Sequence, residues 1–474
     1  MHVHFIAIAG TAMGSLAGLL KSRGHEVTGS DEGVYPPMST FLERWGISVT
    51  IGFAPENVLA RRPDLVVIGN AVRRENAEAR AAIDAGLKYA SLPDALYEHA
   101  IRGKHSVVVC GTHGKTTTTS MLATLLFEAG RDPSLLVGGI AANFDGSFRD
   151  GAGPEFVVEG DEYDTAFFDK TPKFLHYGPE TCVITGVEFD HADIYRDLAH
   201  VQGEFEKLVA KLGTTGTLIA AAGAETIDAV ARGARCKVVR YGVECDADFV
   251  AQSLVADASG THFDLVVRGV HVARALLPAW GKHNVANALA ALAVCEARGV
   301  PLAEAAALLA RYQGVKRRQE VRGEVAGVTV IDDFGHHPTA VRETLGGLAA
   351  RYPGRRLIAV MEPRSNTSRR AVFQDEYARS FAGAARAVIA RVPDAPIYSA
   401  FGGDAPLLSA DKLAADLTAR GIPTIACDGV DTIVDHLASI CATGDVVITL
   451  SNGGFGGIWD KLLARLGSRA SRAT

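Results

Sequence analysis

At 474 residues the chain is too long for one ordinary core, and 48% hydrophobic with 22% charged residues describes a folded globular protein of about three domains, not a disordered or fibrous one. A formal charge of −6 argues against a general nucleic-acid binder, which would carry a basic surplus. No uninterrupted apolar stretch reaches bilayer-spanning length. Seven scattered cysteines without a C-x-x-C pair fit reduced, buried thiols in the cytoplasm better than a disulfide framework or a zinc site.

The opening MHVHFIAIAG is apolar without a basic leader and runs into a glycine turn, so it reads as a first β-strand, Val3–Ile8, and not as a signal peptide. Glu26–Ser30 and Leu65–Gly69 follow as strands between Ala/Leu-rich amphipathic stretches, which predicts a parallel α/β sheet. The pattern restarts after Gly103–Lys104 and again after Gly314–Arg318, where Val328–Asp333, Leu357–Met361 and Val446–Leu450 are strand candidates. These seams divide the chain into 1–103, 104–314 and 315–474.

The sharpest local signal opens the second segment. The apolar strand Ser106–Cys110 runs into Gly111-Thr112-His113-Gly114-Lys115-Thr116-Thr117 and then a helix beginning at Lys-Thr and continuing to about Gly130. Strand, glycine turn and helix N-terminus form an anion site of backbone N–H groups. Lys115 is placed to neutralise β- and γ-phosphates, and the Thr116 hydroxyl to ligate Mg²⁺. The strict phosphate-loop consensus fails at one position, because Val109 stands where its first glycine belongs.

A phosphate loop alone serves GTPases, kinases, motors and ligases. Two further strands narrow the choice. Phe156–Glu159 ends in a carboxylate followed by Gly160-Asp161-Glu162-Tyr163-Asp164, and Cys182–Gly186 runs toward Glu188-Phe189-Asp190-His191. In an open parallel sheet ligands collect at the carboxyl ends of strands, so Glu159 and His191 are expected beside the phosphate loop. Oxygen from Glu159 suits Mg²⁺, whereas a histidine makes sense at a second, shared metal position. A solvated acidic loop and a core histidine are the plainer readings of the same residues.

Together these pieces resemble the Mur ligase family, the three-domain ATP-dependent enzymes of peptidoglycan precursor synthesis. GTHGKTTTT (111–119) is similar to the family phosphate loop, VVEGDEYD (157–164) to its acidic metal segment and TGVEFDH (185–191) to the segment with its metal-binding histidine. WGKHNVANALAA (280–291) resembles the family motif near adenine and ribose, which implicates His283, Asn284 and Asn287. VKRRQE (315–320) and DDFGHHP (332–338) resemble segments by which the third domain closes over ATP, with Arg318, Asp333 and, less directly, His337 in the corresponding positions.

The resemblance implies a fold class of α/β in three domains: a Rossmann-like N-terminal domain for the UDP-sugar, a central P-loop ATPase domain and a Rossmann-like C-terminal domain. The first loop, Ala9-Gly10-Thr11-Ala12-Met13-Gly14, lacks the full G-x-G-x-x-G fingerprint, so a nicotinamide site is unsupported. UDP-sugar contacts are expected at Gly10, Thr11, Met13, Asp31 and Asn70.

VYPPMST (34–40), EYDTAFFDKTPKFLHY (162–177), MEPRSNTSRR (361–370) and SNGGFGG (451–457) resemble one branch of the family. Its members join UDP-N-acetylmuramate to L-alanyl-γ-D-glutamyl-meso-diaminopimelate through an acyl phosphate, in peptidoglycan recycling. A tripeptide with several carboxylates needs cationic and backbone donors, for which Arg364, Ser451, Asn452, Gly453 and Gly454 are candidates. Other branches carry a carbamylated lysine, and Lys207 in EFEKLVAKL falls in a poor register for it. Implied partners are thus the two substrates with ATP and Mg²⁺, without nucleic acid or membrane, in a monomer or weak homo-oligomer. An alanine-adding ligase and a UDP-sugar-sensing regulatory protein are the rival readings.

Overall fold

The computed structural model describes residues 1–393 and 406–473, with side chains through residue 469. Three largely parallel sheets succeed one another along the chain. The first comprises β1 (His2–Ile6), β2 (Glu26–Asp31), β3 (Ser48–Ile51), β4 (Leu65–Ile68) and β5 (Tyr89–Ser91), arranged β3-β2-β1-β4-β5 with every pair parallel. β1 stops two residues short of the expected Ile8, because Ala7 turns the chain at φ 66°.

The second sheet is built from β6 (His105–Cys110), β7 (Ser134–Ala141), β8 (Gly146–Arg149) and β9 (Glu155–Gly160). A separate ribbon of β10 (Asp164–Ala166) and β11 (Asp169–Pro172) intervenes. The sheet resumes with β12 (Thr181–Ile184), β13 (Thr217–Ala221), β14 (Lys237–Val243), β15 (Phe249–Asp257), β16 (Gly260–Val267) and β17 (Val270–Leu277). Its ten strands lie in the order β17-β16-β15-β14-β13-β12-β6-β9-β7-β8. The parallel centre, exemplified by β6 and β12, is apolar and buried on both faces, whereas the antiparallel β15–β17 meander alternates inward and outward side chains.

The third sheet contains β18 (Glu320–Val325), β19 (Val328–Asp333), β20 (Leu357–Met361), β21 (Arg386–Ala390), β22 (Thr424–Cys427) and β23 (Val446–Leu450). Its order is β18-β19-β23-β20-β21-β22, parallel except for the first pair. In the first sheet the chain runs from β1 out to β3 on one side and then returns to β4 and β5 on the other, and that reversal opens a crevice at the strands' carboxyl ends. The loops after β1, β6 and β19 all begin at the carboxyl ends of their strands.

The three units are packed against one another. The helix Thr11–Ser22 lies on β7 and β8, with Ser15 and Ser147 hydroxyls 2.6 Å apart and Arg23 paired with Asp150 at 2.6 Å. The segment leading into the third unit is pinned to β7, since Lys316 N–H donates to the Ile140 carbonyl at 2.9 Å and Ala142 N–H to Gly314 at 3.0 Å. No helix among the described residues is long and apolar enough to cross a membrane.

Candidate functional site

The phosphate loop leaves the end of β6 between β9 and β12, and its helix starts at Lys115. Gly114 caps that helix in the left-handed region at φ 82°, and a Cβ there would fall 2.5 Å from the Asn287 amide oxygen. Glycine is therefore required twice over, by backbone conformation and by the closeness of the helix Lys282–Ala297. No side chain caps the helix and no acidic residue sits in its own first turn, so its first N–H groups are left without a side-chain cap.

Lys115 Nζ donates to the Gly111 carbonyl at 2.7 Å and pairs with Glu162 at 2.7 Å, while His191 Nε2 meets the same Glu162 carboxylate at 2.9 Å. Burial works against charge on each member of this triad, yet the mutual attraction prevails. Lys115 is raised by Glu162 and Asp161, Glu162 is lowered by Lys115 and His191, and His191 is pushed up to about 9 by Asp190 and Glu162. Tyr163 packs on the His191 ring with centroids 4.2 Å apart, and Lys173 holds Asp161 at 2.6 Å.

Glu159, at the end of β9, accepts from the Thr116 hydroxyl at 3.0 Å and from Gly138 N–H at 2.7 Å. Burial raises its pKa, and Lys115 only partly offsets the effect. The carboxylate thus lacks a cation of its own. Lys207 is remote from this cluster in role: it is 60% exposed and pairs with Glu204 at 2.7 Å.

Along the flank, Asn284 Nδ2 donates to the Trp280 carbonyl at 2.8 Å, and His283 Nδ1 is buried without a hydrogen-bond partner among the described residues. Burial, then Arg318 and His113, lowers His283 to about 4, which keeps the ring neutral. Arg318 lies over the Phe334 ring at 5.0 Å. Asp333 is buried, and its carboxylate accepts from Gln319 N–H at 2.9 Å and Gly335 N–H at 2.7 Å. It therefore fixes the loop that carries Arg318. His337 caps the helix Pro338–Arg351 and contacts His113.

At the carboxyl ends of β19, β23 and β20, the Ser451 hydroxyl donates to Glu362 at 2.5 Å and accepts from Gly453 N–H at 3.0 Å. Arg364 runs against Gly453 so closely that a Cβ there would lie 2.3 Å from its Cδ. Asn452 follows Ser451 in this turn with its side-chain oxygen buried and without a hydrogen-bond partner among the described residues, and Gly454 has room for a Cβ. Arg317 braces the turn from beneath, pairing with buried Asp332 at 2.9 Å and donating to the Ser451 and Gly453 carbonyls at 2.9 and 2.6 Å.

In the first unit, Gly10 caps the helix Thr11–Ser22, again with no acidic residue in the first turn. Asp31 accepts from Ala9 N–H at 2.8 Å, so it shapes the loop directly. The Met13 side chain belongs to the core, whereas Thr11 and Asn70 are exposed at the same edge.

Three residues central to this geometry escaped assignment from sequence. Glu162 and Glu188 were visible only as members of acidic segments, and Arg317 only as the neighbour of Arg318. The spacing of Glu162, three residues beyond Glu159 and just past a strand end, was a usable signal. The contacts of Glu188 across to the third unit, and those of Arg317 between distant segments within that unit, are not readable without the third dimension.

Fold and site define an ATP-dependent ligase, a P-loop enzyme that forms C–N bonds. The Mur ligase family catalytic domain matches residues 2–104, the Mur ligase middle domain residues 109–295, and the Mur ligase glutamate ligase domain residues 317–453. The chain is 38% identical to the UDP-N-acetylmuramate–L-alanyl-gamma-D-glutamyl-meso-2,6-diaminoheptandioate ligase of Haemophilus influenzae over 98% of its length and 99% of the relative. It is 38% identical to the ligase of the same description from Escherichia coli K12 over 100% of both. Among solved structures, a murein peptide ligase from Psychrobacter arcticus aligns with TM-score 0.73 and 36% identity over 98% of this chain and 99% of that one. The chain belongs to the Mur ligase family.

Proposed function

We propose that the protein joins the lactyl carboxylate of UDP-N-acetylmuramate to the α-amine of L-alanyl-γ-D-glutamyl-meso-diaminopimelate, with ATP converted to ADP and phosphate through an acyl phosphate, as a step of peptidoglycan recycling. One observation carries the choice of amine. The segment 362–368 is seated directly on the loop of His191: Asn366 Nδ2 donates to Asp193 at 3.1 Å, and Ala192 N–H donates to the Thr367 hydroxyl at 3.1 Å. The segment that carries Arg364, with the 451–454 turn packed against it, thus lies beside the loop of His191, and its donors fit a carboxylate-rich peptide.

In this reading Gly111, His113, Gly114, Thr116 and Thr117 offer N–H groups to the β- and γ-phosphates and Lys115 neutralises them, whereas Thr112 shapes the loop, its N–H donating to the Gly186 carbonyl at 2.9 Å. The Lys115–Glu162–His191 triad keeps that lysine aimed inward. Thr116 and Glu159 present oxygen atoms 3.0 Å apart, and His191 stands behind Glu162 for a second position. This set fits Mg²⁺, and the cation-poor surroundings of Glu159 favour it. When bound, Mg²⁺ supplies positive charge to the phosphoryl oxygens. Asn287, Asn284 and His283 flank the nucleoside, with Arg318 held in place by Asp333. Gly10, Thr11, Met13, Asp31 and Asn70 edge the UDP-sugar site. Closure of the third unit excludes water from the activated carboxylate.

The test is a competition. With ATP, Mg²⁺, UDP-N-acetylmuramate, tripeptide and L-alanine present together, the product mass should be that of the tripeptide adduct. An alanine adduct would establish the rival ligase, and absence of ADP release would reduce the protein to a sensor.

A further inference from the structure

Outside the catalytic triad, one cluster joins the phosphate loop to the C-terminal unit. His113 Nε2 lies 3.1 Å from His337 Nδ1, and a Glu188 carboxylate oxygen lies 3.6 Å from the first and 3.7 Å from the second. These three ligand-type atoms all fall within 4.8 Å of one another. Metal–nitrogen bonds of about 2.0–2.1 Å in a tetrahedron place neighbouring donors about 3.3–3.4 Å apart. The observed separations bracket that value, so adjustments of a few tenths of an ångström would suffice.

The tautomer of His337 is also set for ligation. Its Nε2 faces the Phe189 carbonyl at 3.3 Å, which can only accept, so the proton resides there. Its Nδ1 is unprotonated and its single lone pair now accepts the Thr339 N–H in a long 3.3 Å helix-cap bond, with His113 Nε2 3.1 Å away, so ligation takes the lone pair over from that cap. A ligand histidine whose other nitrogen donates to a carbonyl is the usual support of a metal centre. The Thr339 hydroxyl similarly fixes Glu188 at 2.7 Å. His337 is buried and lowered to about 4, first by burial and then by His113, so its ring is neutral.

We infer that His113, Glu188 and His337 form a second metal site, distinct from the Mg²⁺ position, for a borderline divalent ion of the Zn²⁺ class, and that occupancy latches the C-terminal unit onto the phosphate loop. Two imidazoles and one carboxylate suit such an ion and disfavour Mg²⁺, which prefers oxygen and octahedral geometry. Partly exposed His113 and Glu188 leave one side open for a water as fourth ligand. On binding, the His113 proton moves from Nε2 to Nδ1 by exchange with solvent, so no net redox or bond-forming chemistry is needed. Because the ligands span two units that must separate for product to leave, the latch slows turnover.

Co²⁺ is the probe, titrated into the full-length protein in excess Mg²⁺. The expected result is the intense visible absorption of four-coordinate Co²⁺, saturating at one ion per chain and displaced by Zn²⁺. Affinity should fall at least tenfold in Glu188→Ala and in His337→Ala, each checked for a native circular dichroism spectrum, and persist in His191→Ala. A weak six-coordinate spectrum, or a signal surviving both cluster variants, would overturn the site, as would loss of signal in His191→Ala. Zn²⁺ should also inhibit turnover reversibly by chelator, with sensitivity reduced at least tenfold in Glu188→Ala. Equal sensitivity in that variant would refute the latch. The spectroscopic readout does not depend on which amine the enzyme ligates.

Discussion

Two loops of this molecule share a blueprint and diverge in chemistry. After β1 and after β6 the chain makes the same move, from buried strand through a short turn into a helix whose first turn lacks acidic residues. The loop after β6 is surrounded by ionised groups, with Lys115, Glu162 and His191 interlocked within 2.9 Å and Glu159 close by. The loop after β1 offers mainly backbone, with the Asp31 carboxylate used to hold Ala9 N–H. Both geometries suit anions, but only the second assembles the charge needed to transfer a phosphoryl group. A loop that merely holds a diphosphate can rely on N–H groups.

The largest effect should come from removing the charge that separates the two. Lys115→Ala is expected to lower kcat for ADP release by about a thousandfold or more, because the lost stabilisation develops in the transition state. It should also cost about 3 kcal/mol of stability by breaking a buried pair at Glu162. A single cooperative thermal transition at reduced Tm, with turnover gone, is the outcome to look for. Retained activity would erase the distinction between the loops.

Glycine substitutions sharpen the comparison at the next level. Gly114→Ala meets φ 82° and a 2.5 Å contact with Asn287, so it should lower Tm and raise KM for ATP by about ten- to a hundredfold. Gly10 is different. Its φ of −65° suits any residue, and the nearest atom to an added Cβ is 4.0 Å away. The fold does not need glycine there, which leaves the ligand as the reason for it. Gly10→Ala should therefore leave Tm unchanged and raise KM for the UDP-sugar about tenfold, with kcat and KM for ATP unaffected. A fall in Tm without a change in that KM would assign Gly10 to folding instead.

The contrast also explains what the sequence disclosed. The phosphate loop was legible because strand, glycines and Lys-Thr must be contiguous to work, and the apolar runs of β6, β9 and β12 marked where it sits. Strand ends named Glu159 and His191 through the rule that ligands gather at carboxyl edges. For Asp333 nothing local reveals that its carboxylate also holds the Gln319 and Gly335 N–H groups. Arg317, which braces the 451–453 turn across more than a hundred residues of chain, was indistinguishable from Arg318 until the third sheet brought β19 beside β23. What remained hidden depended on which strands become neighbours.

The smallest expected effect concerns the neutral flank of the phosphate loop. His283 is lowered to about 4 by burial and then by Arg318 and His113, whereas an unfolded histidine titrates near 6.5. As pH falls, the unfolded chain therefore takes up the proton first. The stabilisation is fully present above about pH 6.5 and is lost as pH falls toward 4. His283→Gln should abolish its share of that loss, so the fall in Tm between pH 7 and pH 4.5 should be smaller in the variant than in the parent. KM for ATP in the parent should rise toward pH 4, as a protonated ring adds positive charge beside Arg318 that Glu343, 3.7 Å from Nδ1, only partly offsets. If the two proteins showed the same pH dependence of Tm, His283 would not be the group that the fold keeps neutral. The ionised character of the loop after β6 would then extend to its nucleoside side as well.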